Sequence, residues 1–211
     1  MSTSVANNLS KQNSKPSIDP DLFNLRADTP QTWVDTVLSH FDHFLNDHAQ
    51  AEKKASGMAM SMVSHYPDKP DIVKAMIDLA IEELAHFREV IKLMHSKQQY
   101  LGRDEKDPYV NALRKTMRDG TEHYLLDRLL IAGIIEARGC ERFGLIAQHH
   151  PDAELRQFYQ LITDSEAKHH LLFIELASHY FPVPTIETRL DELLTIEAEI
   201  VRQLPIRAAL H

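Results

Sequence analysis

The chain has 211 residues, of which 43% are apolar and 26% are charged, and these values are typical of a globular domain. Its 31 acidic and 23 basic side chains give a formal net charge of -8, which argues against a protein that coats nucleic acid. The single cysteine excludes an internal disulfide framework and a four-cysteine metal site. The count of 13 histidines is high for a chain of this length. Histidine is the commonest metal ligand, so the count draws attention to a possible metal site.

The first 20 residues are polar and lack the apolar core of a signal peptide, so we expect a flexible N-terminal tail at 1–20. No run of 18 uncharged apolar residues occurs in the sequence, which predicts a protein with no membrane partner. We therefore expect a cytoplasmic chain whose residues 21–211 form a single domain.

Apolar side chains recur at steps of three and four along five long segments, as in amphipathic helices. Helices are predicted at residues 30–64, 70–96, 121–149, 152–180 and 185–204, with a short helical piece near 108–118. No segment shows the period-two alternation of a half-buried strand. The pattern predicts an all-α protein.

Acidic and histidine side chains interrupt the apolar stripe near the middle of each of the first four long helices. These residues are Glu52, Glu83, His86, Glu136, Glu166 and His169. Burying one carboxylate without a partner costs roughly several kcal/mol of folding free energy. Four carboxylates in one core therefore require cations between them. Glutamate and histidine three residues apart share a helix face, so each of the two ExxH pairs can bind one metal ion.

Two alternatives stay open from the residues alone. All six side chains could be solvated charges on a helical interaction module that binds no metal. Glu141 competes with Glu136 as the ligand from the third long helix, although the residues three and four positions from Glu141 form a more polar face. The register of the stripes favours the metal site and Glu136.

The spacing of the polar residues predicts the topology. Glu52 and Glu83 are 31 residues apart, Glu136 and Glu166 are 30 apart, and 53 residues separate Glu83 from Glu136. Two helical hairpins of equal length joined by a long crossover define the ferritin-like four-helix bundle. The last predicted helix is additional to this bundle. Glutamates on all four helices with two ExxH pairs are the arrangement of di-iron and di-manganese carboxylate proteins.

Several neighbours of the predicted ligands have two interpretations. His48, one turn before Glu52, is either a proton carrier or substrate contact, or a hydrogen-bonded core residue. Cys140 is expected to be a small core residue. Small residues near the ligands either leave a cavity for oxygen and substrate or allow close helix packing; they are Ala55, Ala132, Gly133 and Gly139.

Basic residues are concentrated between Arg88 and Arg118, a segment that contains eight basic and four acidic side chains. Such a segment on a protein of charge -8 is either a local contact for a polyanion or an ordinary solvated surface.

Three motifs resemble one known family, the bacterial tRNA-(2-methylthio-isopentenyladenosine) hydroxylases, MiaE. They are EELAHF around Glu83, IEARGCERF around Glu136 and DSEAKHH around Glu166. The similarity extends from about residue 25 to 205, and all six predicted ligand positions fit the family pattern.

The resemblance implies a non-haem di-iron monooxygenase on a ferritin-like bundle, with the six residues as ligands of two iron ions. It implies hydroxylation of the isopentenyl group of the modified adenosine next to the anticodon in tRNA, with O₂ and two electrons from an electron-donor protein or reductase. The alternative is a ferritin- or rubrerythrin-like di-iron protein for iron storage or peroxide reduction. The single cysteine disfavours a rubrerythrin, which normally carries an additional cysteine-rich iron domain.

Overall fold

A computed structural model describes residues 23–211, so the predicted tail at 1–20 lies outside the described residues. The described part contains eight α-helices and no strand, which confirms the all-α prediction there. The helices are α1 (Gln31–Ser39), α2 (Phe41–His65), α3 (Pro70–Ser96), α4 (Pro108–Arg114), α5 (Thr121–His149), α6 (Ala153–Glu166), α7 (His169–Tyr180) and α8 (Val183–Gln203). No helix in residues 23–211 is long and apolar enough to cross a membrane.

The bundle consists of two hairpins, as predicted. Helix α2 packs chiefly on α3, and α5 packs on α6 and α7, which together form the fourth long element. The crossover between α3 and α5 contains the short helix α4, whose first turn Asp107 caps by accepting a hydrogen bond from the Val110 N–H. Helix α8 lies outside the four-helix bundle and contacts α4, α5 and α7.

Two predicted helices are wrong in detail, because each is divided in the structure. The predicted helix at 30–64 is interrupted at His40, whose backbone (φ -131°, ψ 46°) is not helical. The bend lets α1 pack Trp33 and Val37 into the same apolar cluster as Phe44 of α2. The Trp33 indole N–H also donates to the Ala209 carbonyl over 3.0 Å, a tertiary contact that local periodicity does not encode.

The predicted helix at 152–180 is interrupted after Glu166, and α7 begins at His169. Residues 167 and 168 form a tight turn between them. The buried aromatic residue of α6 is Tyr159, whereas its neighbour Phe158 is only half-buried. Tyr159 lies four residues after buried Leu155 and seven before Glu166, so it occupies the inward face.

The core consists of two apolar clusters with polar residues between them. Leu45 and Ala49 of α2 belong to one cluster, Ala59 and Met62 belong to the other, and Glu52 lies between these pairs. Burial of one leucine or methionine side chain stabilises the fold by about 1.5–3 kcal/mol. The two clusters together can therefore offset the cost of burying the polar layer.

A buried ion pair fixes α8 and the crossover against the bundle. Arg138 of α5 donates to Glu197 of α8 over 2.8 Å, and both side chains are fully buried. The Tyr109 hydroxyl of α4 donates to the same carboxylate over 3.0 Å. The crossover is thereby held beside α5, where it forms one wall of the cavity described below.

Candidate metal centre

The structure brings together all six residues that the sequence predicts as metal ligands. They come from the middle of three helices and from the break between α6 and α7, and they are Glu52, Glu83, His86, Glu136, Glu166 and His169. Five of them are buried, and the side chain of Glu136 is 11% exposed. Four carboxylates and two imidazoles therefore share a site that is closed to bulk solvent on most sides.

The six side chains form two overlapping groups. Glu52 and His86 belong to the first group, Glu136 and His169 belong to the second, and Glu83 and Glu166 belong to both. In each group the potential ligand atoms all lie within 4.8 Å of one another. This is the separation expected for ligands around one cation, and two shared carboxylates can bridge a pair of cations.

The distances are shortest around Glu166. Its Oε2 atom lies 2.6 Å from Nδ1 of His169, and its Oε1 atom lies 2.8 Å from Nδ1 of His86. Glu83 Oε1 lies 3.1 Å from the His169 Nδ1. The outer carboxylates are further away, since Glu136 Oε2 is 3.9 Å from His169 Nδ1 and Glu52 Oε2 is 3.9 Å from His86 Nδ1.

Four polar atoms at the centre lie close to one another, but none of them makes a hydrogen bond of acceptable geometry among residues 23–211. They are Glu83 Oε1, Glu166 Oε1 and the Nδ1 atoms of His86 and His169. Buried polar atoms are nearly always paired, so convergent atoms without a hydrogen bond indicate a ligand between them. Carboxylate oxygens and imidazole nitrogens are typical ligands of a divalent metal ion, and the donor set therefore fits a metal centre.

The electrostatics of the cluster support the same conclusion. Burial, followed by the charge of Glu83, raises the pKa of Glu52 well above its usual value. Burial also raises the pKa of Glu136 to about 8, with further contributions from Glu83 and Glu166. Burial opposes charge on His86 as well, but Glu166 and Glu83 outweigh it and raise its pKa to about 9. The site therefore holds protons that metal binding would displace.

Hydrogen bonds from residues outside the cluster hold two of the candidate ligands in place. His48 Nε2 lies 2.6 Å from Glu52 Oε1, and its Nδ1 lies 3.1 Å from the Tyr159 hydroxyl. Burial, and then the nearby His86, lower the pKa of His48 to about 3, so its imidazole is neutral. When Glu52 is ionised, as it would be with a metal ion bound, a neutral ring donates from Nε2 to Glu52 and accepts at Nδ1 from the Tyr159 hydroxyl.

A second chain of hydrogen bonds reaches the surface. His86 Nε2 lies 3.0 Å from Ser165 Oγ, and Ser165 donates to Glu82 over 2.9 Å. The sequence pattern leaves His48 with two interpretations, and it does not predict roles for Tyr159, Ser165 or Glu82. The inward register of α6 could have indicated Tyr159, but nothing local indicates the pairing of Ser165 with a residue 79 positions away.

Glu141 lies outside the cluster. It accepts hydrogen bonds from the Thr29 N–H (2.9 Å) and hydroxyl (2.7 Å), and it pairs with Arg138 over 2.8 Å. This carboxylate fastens the segment before α1 to α5. Of the two glutamates that the sequence left in competition, Glu136 is the one that faces the other candidate ligands.

A cavity of about 490 Å³ leads to the cluster from the side of the crossover. Glu52, Glu83, Glu136 and Glu166 line its inner end. Its walls are mainly apolar, and its exposed lining includes Arg114. A volume of this size is in the range of small-molecule sites, roughly 300–1,000 Å³.

The small residues near the ligands divide between the two interpretations. Ala55, Ala132 and Gly139 line the cavity. Gly133 does not, and it serves close packing instead, because a Cβ atom there would lie 2.8 Å from the Phe23 ring. Cys140 also lines the cavity, and burial raises the pKa of its thiol to about 11.

The fold and the site define a ferritin-like helical protein with a carboxylate and histidine cluster at its centre. A solved structure of a Synechococcus protein, described as "Protein 43 with aldehyde deformylating oxygenase activity", matches with a TM-score of 0.83 and 36% sequence identity, over 87% of this chain and 92% of that chain. The family model of tRNA-(MS[2]IO[6]A)-hydroxylase (MiaE) matches residues 17–211. This chain therefore belongs to the MiaE family.

Two curated relatives have the name tRNA 2-(methylsulfanyl)-N(6)-isopentenyladenosine(37) hydroxylase. The protein from Pseudomonas putida is 32% identical over 84% of this chain and 86% of its own length. The protein from Salmonella typhimurium is 28% identical over 74% of this chain, and the match spans 56% of its length.

Proposed function

We propose that this chain hydroxylates the isopentenyl group of 2-methylthio-isopentenyladenosine next to the anticodon of tRNA, using O₂ and two electrons. Membership of the MiaE family, whose curated relatives are named for this activity, supports the substrate. The observation that carries the chemistry is the convergence of six candidate ligands, of which the four glutamates line one cavity. The substrate implies a cytoplasmic enzyme, since tRNA is located there.

Two iron ions are the proposed metals of the cluster. Glu52 and His86 would hold one ion and Glu136 and His169 the other, with the shared carboxylates of Glu83 and Glu166 between them. Four carboxylates offset the charge of two divalent cations. Bound iron would supply the O₂ activation that side chains alone lack, because hydroxylation of an unactivated carbon requires a strong oxidant.

The protein's own residues would bind and orient the isopentenyl chain. Met58, Ile131, Ile135 and Phe143 give the cavity apolar walls on the approach to the carboxylates. Such walls match a branched hydrocarbon and exclude water from the reacting carbon. His48 keeps Glu52 oriented by a buried hydrogen bond, so the outer carboxylate is positioned before substrate enters.

The exposed end of the cavity is the proposed contact for tRNA. Lys54, Arg114 and Arg128 line the cavity, although Lys54 pairs with Asp104 over 3.0 Å and Arg128 donates to Ser61 over 2.9 Å. Arg114 forms no such pair among the described residues, which leaves its charge free for phosphate. A base of tRNA can reach the interior of a helical bundle only when it is unstacked from the neighbouring bases of its loop.

A second candidate substrate is an aliphatic aldehyde, and one observation favours it. The Synechococcus protein with this fold is named for aldehyde deformylating oxygenase activity, and the apolar cavity walls here would accept an alkyl chain. Iron storage or peroxide reduction, the remaining alternative from the sequence, requires no organic substrate, whereas the cavity at this cluster is large enough for a modified base.

Nucleoside analysis of tRNA tests the proposed function. In cells lacking the gene, the hydroxylated nucleoside should disappear and 2-methylthio-isopentenyladenosine should accumulate. A plasmid copy of the wild-type chain should restore the hydroxylated form, and a Glu136→Ala copy should not. Persistence of the hydroxylated nucleoside in the deletion strain would refute the proposal, and assay of the purified iron-loaded protein with a long-chain aldehyde would then test the second candidate.

A further inference from the structure

The segment that follows α8 folds back across the bundle and is fixed there by hydrogen bonds. The Leu210 N–H donates to Asp47 over 2.7 Å, and the Leu210 carbonyl accepts from Arg142 over 2.6 Å. Ala209 accepts from the Trp33 indole at its carbonyl. These contacts place His211 at the cavity, in whose lining it lies together with Leu210.

His211 is held on two sides. Its Nδ1 atom lies 3.3 Å from Asp107 Oδ2, and its ring stacks on Tyr109 with a centroid distance of 5.1 Å and an interplanar angle of 9°. The side chain is only 6% exposed. Asp107 begins α4 and Tyr109 donates to Glu197, so the two partners of His211 belong to the anchored crossover.

The other ring nitrogen has no partner. Nε2 of His211 is buried and forms no hydrogen bond to any residue of 23–211. It faces α5, because a Cβ atom added at Gly139 would lie 3.8 Å from it. Gly139 also lines the cavity and lies one turn from Glu136. A buried, unpaired nitrogen in a mainly apolar cavity is a binding group that lacks its ligand.

Asp107 determines which nitrogen carries the proton. Burial alone would raise the pKa of Asp107, but the hydrogen bonds from His211 and the Val110 N–H, together with nearby positive charge, outweigh burial and lower this pKa to about 2. An ionised carboxylate accepts a hydrogen bond from Nδ1–H, and when the ring carries only that proton Nε2 keeps its lone pair. The free atom is therefore a hydrogen-bond acceptor, and its ligand must offer an N–H or O–H group.

We propose that Nε2 of His211 accepts a hydrogen bond from the N6–H of the isopentenyl-substituted adenine, with Asp107 as a positioning residue. This inference rests on the proposed function. The N6 atom carries the isopentenyl group, so a contact at N6 directs that group into the cavity toward the carboxylates. The single N–H on this nitrogen matches the one lone pair of Nε2.

The test is equilibrium binding of a synthetic anticodon stem-loop RNA to the iron-loaded protein without reductant. His211→Ala should weaken binding of the RNA that carries 2-methylthio-isopentenyladenosine by about tenfold, the size of one hydrogen bond. Binding of the same RNA with unmodified adenosine should not change, because phosphate contacts remain. His211→Gln should recover part of the affinity, since its amide N–H can face Asp107 while its oxygen accepts.

A second RNA identifies the atom. Methylation of N6 removes its hydrogen and should weaken binding to the wild-type chain but have little further effect on His211→Ala. Asp107→Asn should also weaken binding selectively, because an amide can donate to Nδ1 and place the ring proton on Nε2. His43→Ala is the matched control, since His43 is exposed and does not line the cavity.

Two outcomes overturn the role of His211: unchanged affinity in His211→Ala, or an equal loss for modified and unmodified RNA together with a lower melting temperature, which would show a structural role only. Failure of the proposed function gives a different result. In that case the wild-type chain itself would not prefer the modified stem-loop over the unmodified one.

Discussion

The carboxylate of Glu166 lies 2.6 Å from Nδ1 of His169, although α6 ends at the first residue and α7 begins at the second. The turn at 167–168 thus separates two helices without separating the pair. Glu166 also approaches His86 of α3, and Glu83 approaches His169 of α7. The carboxylates of Glu83 and Glu166 consequently belong to both halves of the cluster.

The shared carboxylates predict unequal effects on metal content. Glu83→Ala should remove both iron ions, because each candidate group loses a ligand. Glu52→Ala should remove chiefly one ion, since Glu52 belongs to a single group. Iron analysis of the purified variants, expressed per folded chain, measures the difference. Equal iron loss in the two variants would contradict the division into two groups.

Glu136 and Glu141 predict opposite phenotypes. Glu136→Ala should abolish hydroxylation while the bundle stays folded, because Glu136 faces the other candidate ligands. Glu141→Ala should keep activity but lower the free energy of unfolding by about 1–3 kcal/mol, because Thr29 and Arg138 lose a half-buried acceptor. Activity assays and denaturant unfolding of both proteins separate the two. Turnover by Glu136→Ala with none by Glu141→Ala would assign the ligand to Glu141.

Removal of metal should make stability fall as pH rises from 6 to 9. The folded-state pKa values of Glu136 (about 8) and His86 (about 9) both lie above their ordinary values, so the folded metal-free protein binds more protons than the unfolded chain. Their stabilisation is complete at low pH and is lost as pH rises through the folded pKa values. Glu83, with a lowered pKa of about 2, is ionised in both states throughout this range.

The measurement is the melting temperature of the chelator-treated protein across this pH range. The iron-loaded protein should show the opposite trend in metal affinity, because metal binding releases the same protons. A metal-free melting temperature that rose with pH would show that the cluster does not retain protons.

Arg114 predicts a change in the salt dependence of tRNA binding. Arg114→Ala should weaken binding and reduce the slope of log K against log salt by about 1, the value for one lost phosphate contact. Lys74→Ala is the control, since Lys74 is an exposed base of α3 that does not line the cavity. An unchanged slope for Arg114→Ala would place the tRNA contact elsewhere on the surface.

Sequence periodicity predicted the helices because the apolar spacing of a helix depends on neighbours three and four residues apart. The bounds 70–96 and 121–149 agree with α3 and α5, and the inward register of Glu52, Glu83 and Glu136 follows from the same stripes. The breaks at His40 and after Glu166 were not predicted, since tertiary contacts rather than local pattern favour them.

The sequence alone determined the helical class and the six inward polar residues, because both depend on short-range periodicity, and the spacing between those residues predicted the two equal hairpins. Only the tertiary structure decided which carboxylates are shared, how Tyr159 supports Glu52 through His48, and that His211 reaches the cavity. These relationships join residues that are 31 to more than 100 positions apart. Their distances depend on how helices pack against one another, and helical periodicity contains no information about that packing.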